Sequence, residues 1–182
     1  MNAVIYVATN NGLVIGELGT GGWNVTGQKL EGKIVTCVVV MGGVILAGTR
    51  DGVLRSEDGG ENWVEADDGV TVRHARWMAV NPMDSNKVFL GTEPANLFVS
   101  HDGGISWTEK EEVAALRDQH QWMLPYSPQA GCVRGFAFNG ERVYAAVEVG
   151  GVLLSDDGGE SWDLAKGSDG VPSFGTPPAR FV

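Results

Sequence analysis

Apolar residues in this chain recur with period two in short runs, and Gly, Asp or Asn ends almost every run. Val4–Thr9 and Leu13–Gly16 open the series, followed by Ile34–Val40, Val44–Gly48, Val53–Ser56 and Trp63–Ala66. The same spacing returns at His74–Val80, Lys87–Thr92, Leu97–Ser100 and Ser106–Thr108, and again at Val133–Phe138, Arg142–Val147, Val152–Ser155 and Trp162–Ala165. Alternation over so few residues, bounded by turn formers, predicts half-buried strands. Many such strands predict an all-β sandwich, barrel or propeller. One stretch breaks the pattern. Between Glu109 and Gly131, Val113 and Leu116 form one apolar stripe, and Thr108 to Glu111 reads as a capping box. A helix of about two or three turns is expected there. After it, His120, Trp122, Pro125, Tyr126 and Pro128 predict an irregular loop that acts as a lid or a cover.

A phrase of fixed form punctuates the strands. It reads Ser56-Glu-Asp58-Gly-Gly-Glu-Asn-Trp63, Ser100-His-Asp102-Gly-Gly-Ile-Ser-Trp107 and Ser155-Asp-Asp157-Gly-Gly-Glu-Ser-Trp162. Asp-Gly between two strand-like runs signals a hairpin, because glycine accepts the positive φ the turn needs. The Asp carboxylate and the Ser hydroxyl can both take backbone N–H groups of the turn, and the Trp offers a flat apolar face to the next hairpin. Carboxylates spent in this way make poor acids or bases, so Asp58, Asp102 and Asp157 are expected to be structural.

The thrice-repeated phrase resembles the Asp-box, or bacterial neuraminidase, repeat. That family contains β-propellers: sialidases, sortilin-type receptors, xyloglucan-cleaving hydrolases and a photosystem II assembly factor. The resemblance implies a propeller of four-stranded antiparallel blades, with each box on the hairpin between third and fourth strands, away from the active face. From Ser56 to Ser100 is 44 residues and from Ser100 to Ser155 is 55, close to a blade of about 40–50 residues, with an insertion in the longer interval. A single domain of about four blades follows. They cover residues 3–32 (lacking the first strand), 33–69, 70–131 (with the insertion 109–131) and 132–167, with a tail at 168–182. In the first, Leu18 stands where the box acid would be. The tail ends Ala179-Arg180-Phe181-Val182, matching the start of another first strand. It is expected either to close the ring or to begin a further blade. A homodimer, or blades beyond this C-terminus, would complete a larger ring.

A net charge of -10 argues against nucleic acid or an anionic membrane as partner. Cys37 and Cys132 lie in separate apolar runs and are expected to be reduced and buried. His74, His101 and His120 are scattered, so no metal or other cofactor is expected. The start shows neither a basic signal region nor a membrane-length run, which predicts a cytoplasmic protein.

Stacking repeats about an axis puts equivalent positions on rings. One ring, in the loops from second to third strand, is Asn10, Arg50, Glu93 and Glu148. Another, on the first strands, is Thr36, Arg76 and Arg134. Both are expected at one end of the channel, with the insertion leaving from the same end. Arg50, Arg76, Arg134, Glu93, Glu148, His120, Trp122 and Tyr126 are therefore expected at one mouth. Two uses of the ring stand side by side. Arg76 and Arg134 pair with Glu93 and Glu148 to hold blades in register, or the arginines clamp a carboxylate while Trp122 and Tyr126 stack on a sugar or peptide.

The reading that follows is a non-enzymatic binding or scaffold module for a protein or carbohydrate ligand. One alternative is a glycoside hydrolase using Glu93 and Glu148, and another is a protein-complex assembly factor. The sialidase chemistry of the family would need an Arg-Ile-Pro motif and a Tyr nucleophile. No such motif occurs here, and Tyr6 and Tyr144 sit in apolar strands.

Overall fold

A computed structural model of the chain describes residues 3–124, 127–168 and 170. The first sheet is the meander β1 (Val4–Thr9), β2 (Gly12–Gly19) and β3 (Gly22–Lys29). The second runs β4 (Val35–Met41), β5 (Val44–Thr49), β6 (Gly52–Ser56) and β7 (Val64–Glu65). In the third come β8 (Ala75–Asn81), β9 (Asp84–Thr92), β10 (Leu97–Ser100) and β11 (Thr108–Glu109). Helix α1 (Glu111–His120) and a small hairpin, β12 (Met123–Leu124) with β13 (Ser127–Ala130), lead to the fourth. That last sheet is β14 (Val133–Asn139), β15 (Arg142–Val147), β16 (Gly151–Ser155) and β17 (Asp163–Leu164). Within these four sheets every strand pairs antiparallel with its chain neighbour, so each sheet is a blade written in sequence order, and one parallel bridge, Asp68 to Ser106, links the second blade to the third.

Alternation gives each sheet two apolar faces, and successive sheets stack front to back. Leu46 and Val53 on the back of the second sheet join Met78, Leu90 and Phe98 on the front of the third in one buried cluster. Phe89 on the back of the third meets Phe136 and Phe138 of the fourth, with ring centroids 5.5 Å apart in both pairs. Leu13, with Tyr6 and Ala8, packs on Val35, Ala47 and Leu54 of the second. First strands lie beside first strands, β4 against β8 and β8 against β14. This is a β-propeller arc, and its described residues do not close a ring.

Among the described residues the first sheet has no first strand. Thr9 Oγ1 donates to the Gly12 carbonyl at 2.8 Å, as Thr49 Oγ1 does to Gly52 at 2.9 Å. The β1–β2 turn is thus equivalent to the β5–β6 turn, which makes β1 a second strand whose inner edge has no partner among the described residues.

Each box turn is closed by its own side chains. In the second copy, Asp102 Oδ1 accepts the Ile105 and Ser106 N–H groups at 3.0 and 2.9 Å, and Oδ2 accepts the Ser106 hydroxyl at 2.6 Å. Ser100 Oγ takes the Gly104 N–H at 2.8 Å and donates to Asp102 at 2.7 Å. Ser56 with Asp58 and Ser155 with Asp157 repeat this geometry. Trp63 and Trp162 each donate their indole N–H to a carbonyl of their own turn, whereas Trp107 reaches back to Ala66 of the preceding blade at 2.9 Å.

The insertion differs from its sequence reading. Thr108 belongs to β11, and the N-cap is Lys110, with no side-chain cap bond. Its ammonium instead reaches the Glu160 carbonyl oxygen at 3.0 Å and the Glu160 carboxylate at 3.3 Å, tying the helix start to the next box. Where an irregular loop was expected, β12 and β13 pair. Among the described residues no helix is long and apolar enough to cross a membrane. Tyr126 and residues 171–182, on which the lid and the ring-closing tail were read, lie outside the described residues.

Candidate functional site: an arginine-lined cavity

The innermost strands share one irregularity. Pairing passes from Val35↔Thr49 to Cys37↔Gly48, from Ala75↔Thr92 to Trp77↔Gly91, and from Val133↔Val147 to Gly135↔Ala146. One residue is left over each time: Thr36, Arg76 and Arg134. A β-bulge re-aims the extra side chain, and here it does so at the same level in three blades.

These bulged residues meet in a cavity of about 350 Å³, lined by Asn10, Ile34, Val35, Thr36, Arg50, Arg76, Trp77 and Arg134. Arg50 arrives from the β5–β6 turn and Asn10 from the equivalent β1–β2 turn. The third and fourth blades hold Glu93 and Glu148 at that position, and both act as partners behind the arginines. Glu93 Oε2 lies 3.3 Å from Arg76 Nε, and Glu148 Oε2 lies 2.6 Å from Arg134 Nε. Cys132 also donates its thiol to Glu148 at 3.0 Å. Thr36 spends its hydroxyl on the Ala75 carbonyl at 2.7 Å, a link between blades.

Arg50 is different. It is exposed, and among the described residues it makes no ion pair and no hydrogen bond. Two of the three guanidiniums are matched by carboxylates and the third is not, so the cavity carries an excess positive charge in an otherwise acidic protein. Trp77 stands half-exposed at its rim. A side chain able to stack on a ring thus lies beside groups able to hold an anion. A second cavity, about 260 Å³, lies on the other side of Arg50, but its Arg73 is bound to Asp67 and to the Asp51 carbonyl.

His74, beside Glu93 and Arg76, has its pKa lowered. Burial is the main cause; Glu93 opposes it, while Arg76 and Arg50 add to it. Its Nε2 is buried and has no hydrogen-bond partner among the described residues, consistent with a neutral ring. Burial pushes Cys37 up to about 12, and burial together with the bond to Glu148 pushes Cys132 up to about 11. Both thiols are free and poor nucleophiles at neutral pH.

Of the residues expected at the mouth, Arg50, Arg76 and Arg134 come together, with Glu93 and Glu148 directly behind two of them. Trp122 does not join them. It is fully buried, packed with Val113, Val133 and Val147, and its indole N–H donates to the Gly170 carbonyl at 2.6 Å. That placement corrects its role as a ligand platform, because the helix and the β12–β13 hairpin fold it into the core between the third and fourth blades. His120 stacks on it at 6.4 Å and is absent from the cavity lining. Trp77 was missed. It read as an ordinary strand residue, although two successive outward positions, Arg76 and Trp77, between buried Ala75 and Met78 mark a bulge.

The BNR/Asp-box repeat model matches residues 98–109. None of the curated proteins compared with the chain matches it. Among solved structures, a GH74 xyloglucanase from Xanthomonas campestris is similar at 19% identity and a TM-score of 0.67, over 98% of this chain and 29% of that one. An ancestral GH74 enzyme is similar at 22% identity and 0.62, over 87% of this chain and 22% of that one. YCF48 from Cyanidioschyzon merolae is similar at 17% and 0.57, over 87% of this chain and 51% of that one. The chain therefore spans about half or less of each, and the likeness is one of fold.

Proposed function

We propose that this chain, a β-propeller arc with a BNR/Asp-box repeat matched at residues 98–109, is a non-catalytic binding module. Its arginine-lined cavity holds the carboxylate of a protein or carbohydrate ligand. The observation that carries this reading is Arg50, a guanidinium with no ion pair among the described residues that shares a cavity of about 350 Å³ with Arg76 and Arg134. A guanidinium presents paired N–H donors to a carboxylate, and a concave site strengthens the contact by partly excluding water. Trp77 offers its face to whatever ring or apolar group the carboxylate is attached to.

The hydrolase alternative draws its support from the GH74 likeness, which is one of fold. A two-carboxylate glycosidase needs one acid that keeps its proton. Glu93 and Glu148 are each engaged by an arginine, Arg76 and Arg134, an arrangement that suits holding the blades in register better than acid catalysis. The assembly-factor alternative shares the binding reading and differs only in taking a protein as ligand.

Calorimetric titration tests the proposal with glucuronate, glucose and an N-acetylated dipeptide bearing a free C-terminal carboxylate. Binding of one or both carboxylates, but not of glucose, and its loss in Arg50→Ala, is the expected result. Equal binding of glucose, or carboxylate binding unchanged in Arg50→Ala, overturns it.

A further inference from the structure

Of the eleven most exposed large apolar side chains among the described residues, five stand on one face of the first sheet: Ile5 (38% exposed), Val7 (43%), Leu18 (42%), Trp23 (50%) and Val25 (74%). Register makes this a single surface. Val7 pairs with Val14, Ile5 with Gly16, Gly16 with Val25, and Leu18 with Trp23. No Asp, Glu, Lys or Arg occupies these positions. It is the front of the blade, equivalent to the faces that the other blades bury. Ala47 and Leu54 are the second sheet's counterparts of Val7 and Val14, and both are buried against the first sheet's back. In the third and fourth sheets, Leu90 with Phe98 and Ala145 with Leu153 are buried in the same way.

Among the described residues the fourth sheet is the last of the arc, and its back has no partner sheet. Ala137, Tyr144 and Leu154 lie on one row and Gly135, Ala146 and Val152 on the next. The same rows in the third sheet, through Phe89 and Val99, are buried. Here Ala137 and Ala146 are exposed.

We infer that the front of the first sheet seats the back of the fourth sheet of a second copy of this chain. Two copies then close one ring through two identical contacts. Three internal interfaces follow a single front-to-back rule, and the proposed contact continues that rule across the only front and the only back left open among the described sheets. A front-to-back contact is heterologous, so it must close about an axis or run on indefinitely. A pair of arcs related by a twofold axis closes it. The area suffices. Three strands about 4.8 Å apart and about seven residues long cover roughly 300 Å² per face. Four such faces bury on the order of 1,200 Å², the lower bound for a specific stable interface.

The test is the solution mass of the full chain at micromolar concentration by light scattering, alone and with one substitution on each face. Val25→Asp alters the front and Ala146→Lys the back. Both side chains are exposed in a single copy, and thermal unfolding by circular dichroism checks that each variant folds; Trp23→Lys replaces Val25→Asp if it does not. The expected result is twice 19.3 kDa for the unmodified chain, one chain mass for each variant alone, and recovery of the doubled mass when the two variants are mixed. Mixing restores the pair because one of its two contacts is then unaltered. A single-chain mass for the unmodified protein overturns the inference, as does a mass that keeps growing with concentration. A pair that survives Ala146→Lys overturns it too, since that pair would be front to front. None of these readings depends on whether the arginine cavity binds a carboxylate.

Discussion

Replacing Asp102 by Ala removes the acceptor for two backbone N–H groups and two hydroxyls, those of Ile105, Ser106 and Ser100, at 2.6 to 3.0 Å. The N–H groups are at the surface, so water takes over much of their bonding, and each lost bond costs the low end of its usual worth. The expected loss is about 1–2 kcal/mol in total at neutral pH. With a urea slope of about 2 kcal/mol per molar, the unfolding midpoint falls by about 0.5–1 M. The loss depends on pH. Burial alone would raise the Asp102 pKa, but the hydrogen bonds from Ser106, Ser100 and Ile105 outweigh it and hold the pKa at about 2, below its ordinary 3.8. A carboxylate depressed in the folded state stabilises fully above its unfolded pKa and ceases to do so as pH falls through the folded one. The gap between native and Asp102→Ala midpoints therefore holds above pH 4 and narrows between about 4 and 2. Urea titrations across that range, read by tryptophan fluorescence, measure it. Equal midpoints at pH 7, or a gap that ignores pH, would refute the assignment of the box acid to the turn.

Trp122→Ala empties a fully buried indole site and leaves the Gly170 carbonyl without its donor. A loss of about 3–5 kcal/mol is expected by chemical denaturation. Arg50→Ala is expected to leave stability within about 0.5 kcal/mol, because the side chain is exposed and makes no ion pair among the described residues, and to abolish carboxylate binding. Cys37 and Cys132, held at about 12 and about 11, are expected to react with a thiol reagent at pH 8 only as fast as the chain opens. Thiol release in native buffer and in urea distinguishes the two regimes. Glu160 is drawn down by Lys87 and Lys110, which outweigh its burial. Glu160→Gln is therefore expected to weaken the chain above pH 5 and to converge with it in acid, a difference that thermal melts at pH 7 and pH 3 resolve.

How much of this was legible in the sequence differs by scale. Period two and the repeated Ser-x-Asp-Gly-Gly phrase expose the blades, because local turn chemistry and alternation are written in adjacent residues. Arg50, Arg76 and Arg134 could be assigned to rings for the same reason, since equivalent positions follow from the repeat. Trp122 could not be placed. Its burial comes from a helix and a hairpin folding over it, and nothing nearby in sequence distinguishes an aromatic plug from an exposed platform. Trp77 was hidden by the bulge at Arg76, which turns two successive residues outward where strict alternation would bury one. The capping box failed for a related reason: Thr108 was already committed to pairing with Val99.

The box acids close turns, and the proposed function places ligand in the arginine cavity. Backbone amide NMR during titration with glucuronate or the acetylated dipeptide reads both at once. Shifts confined to Asn10, Thr36, Arg50, Arg76, Trp77 and Arg134 and their neighbours, with the turns at Asp58, Asp102 and Asp157 silent, are what the account predicts. Shifts centred on those three turns, with the cavity unmoved, would contradict it.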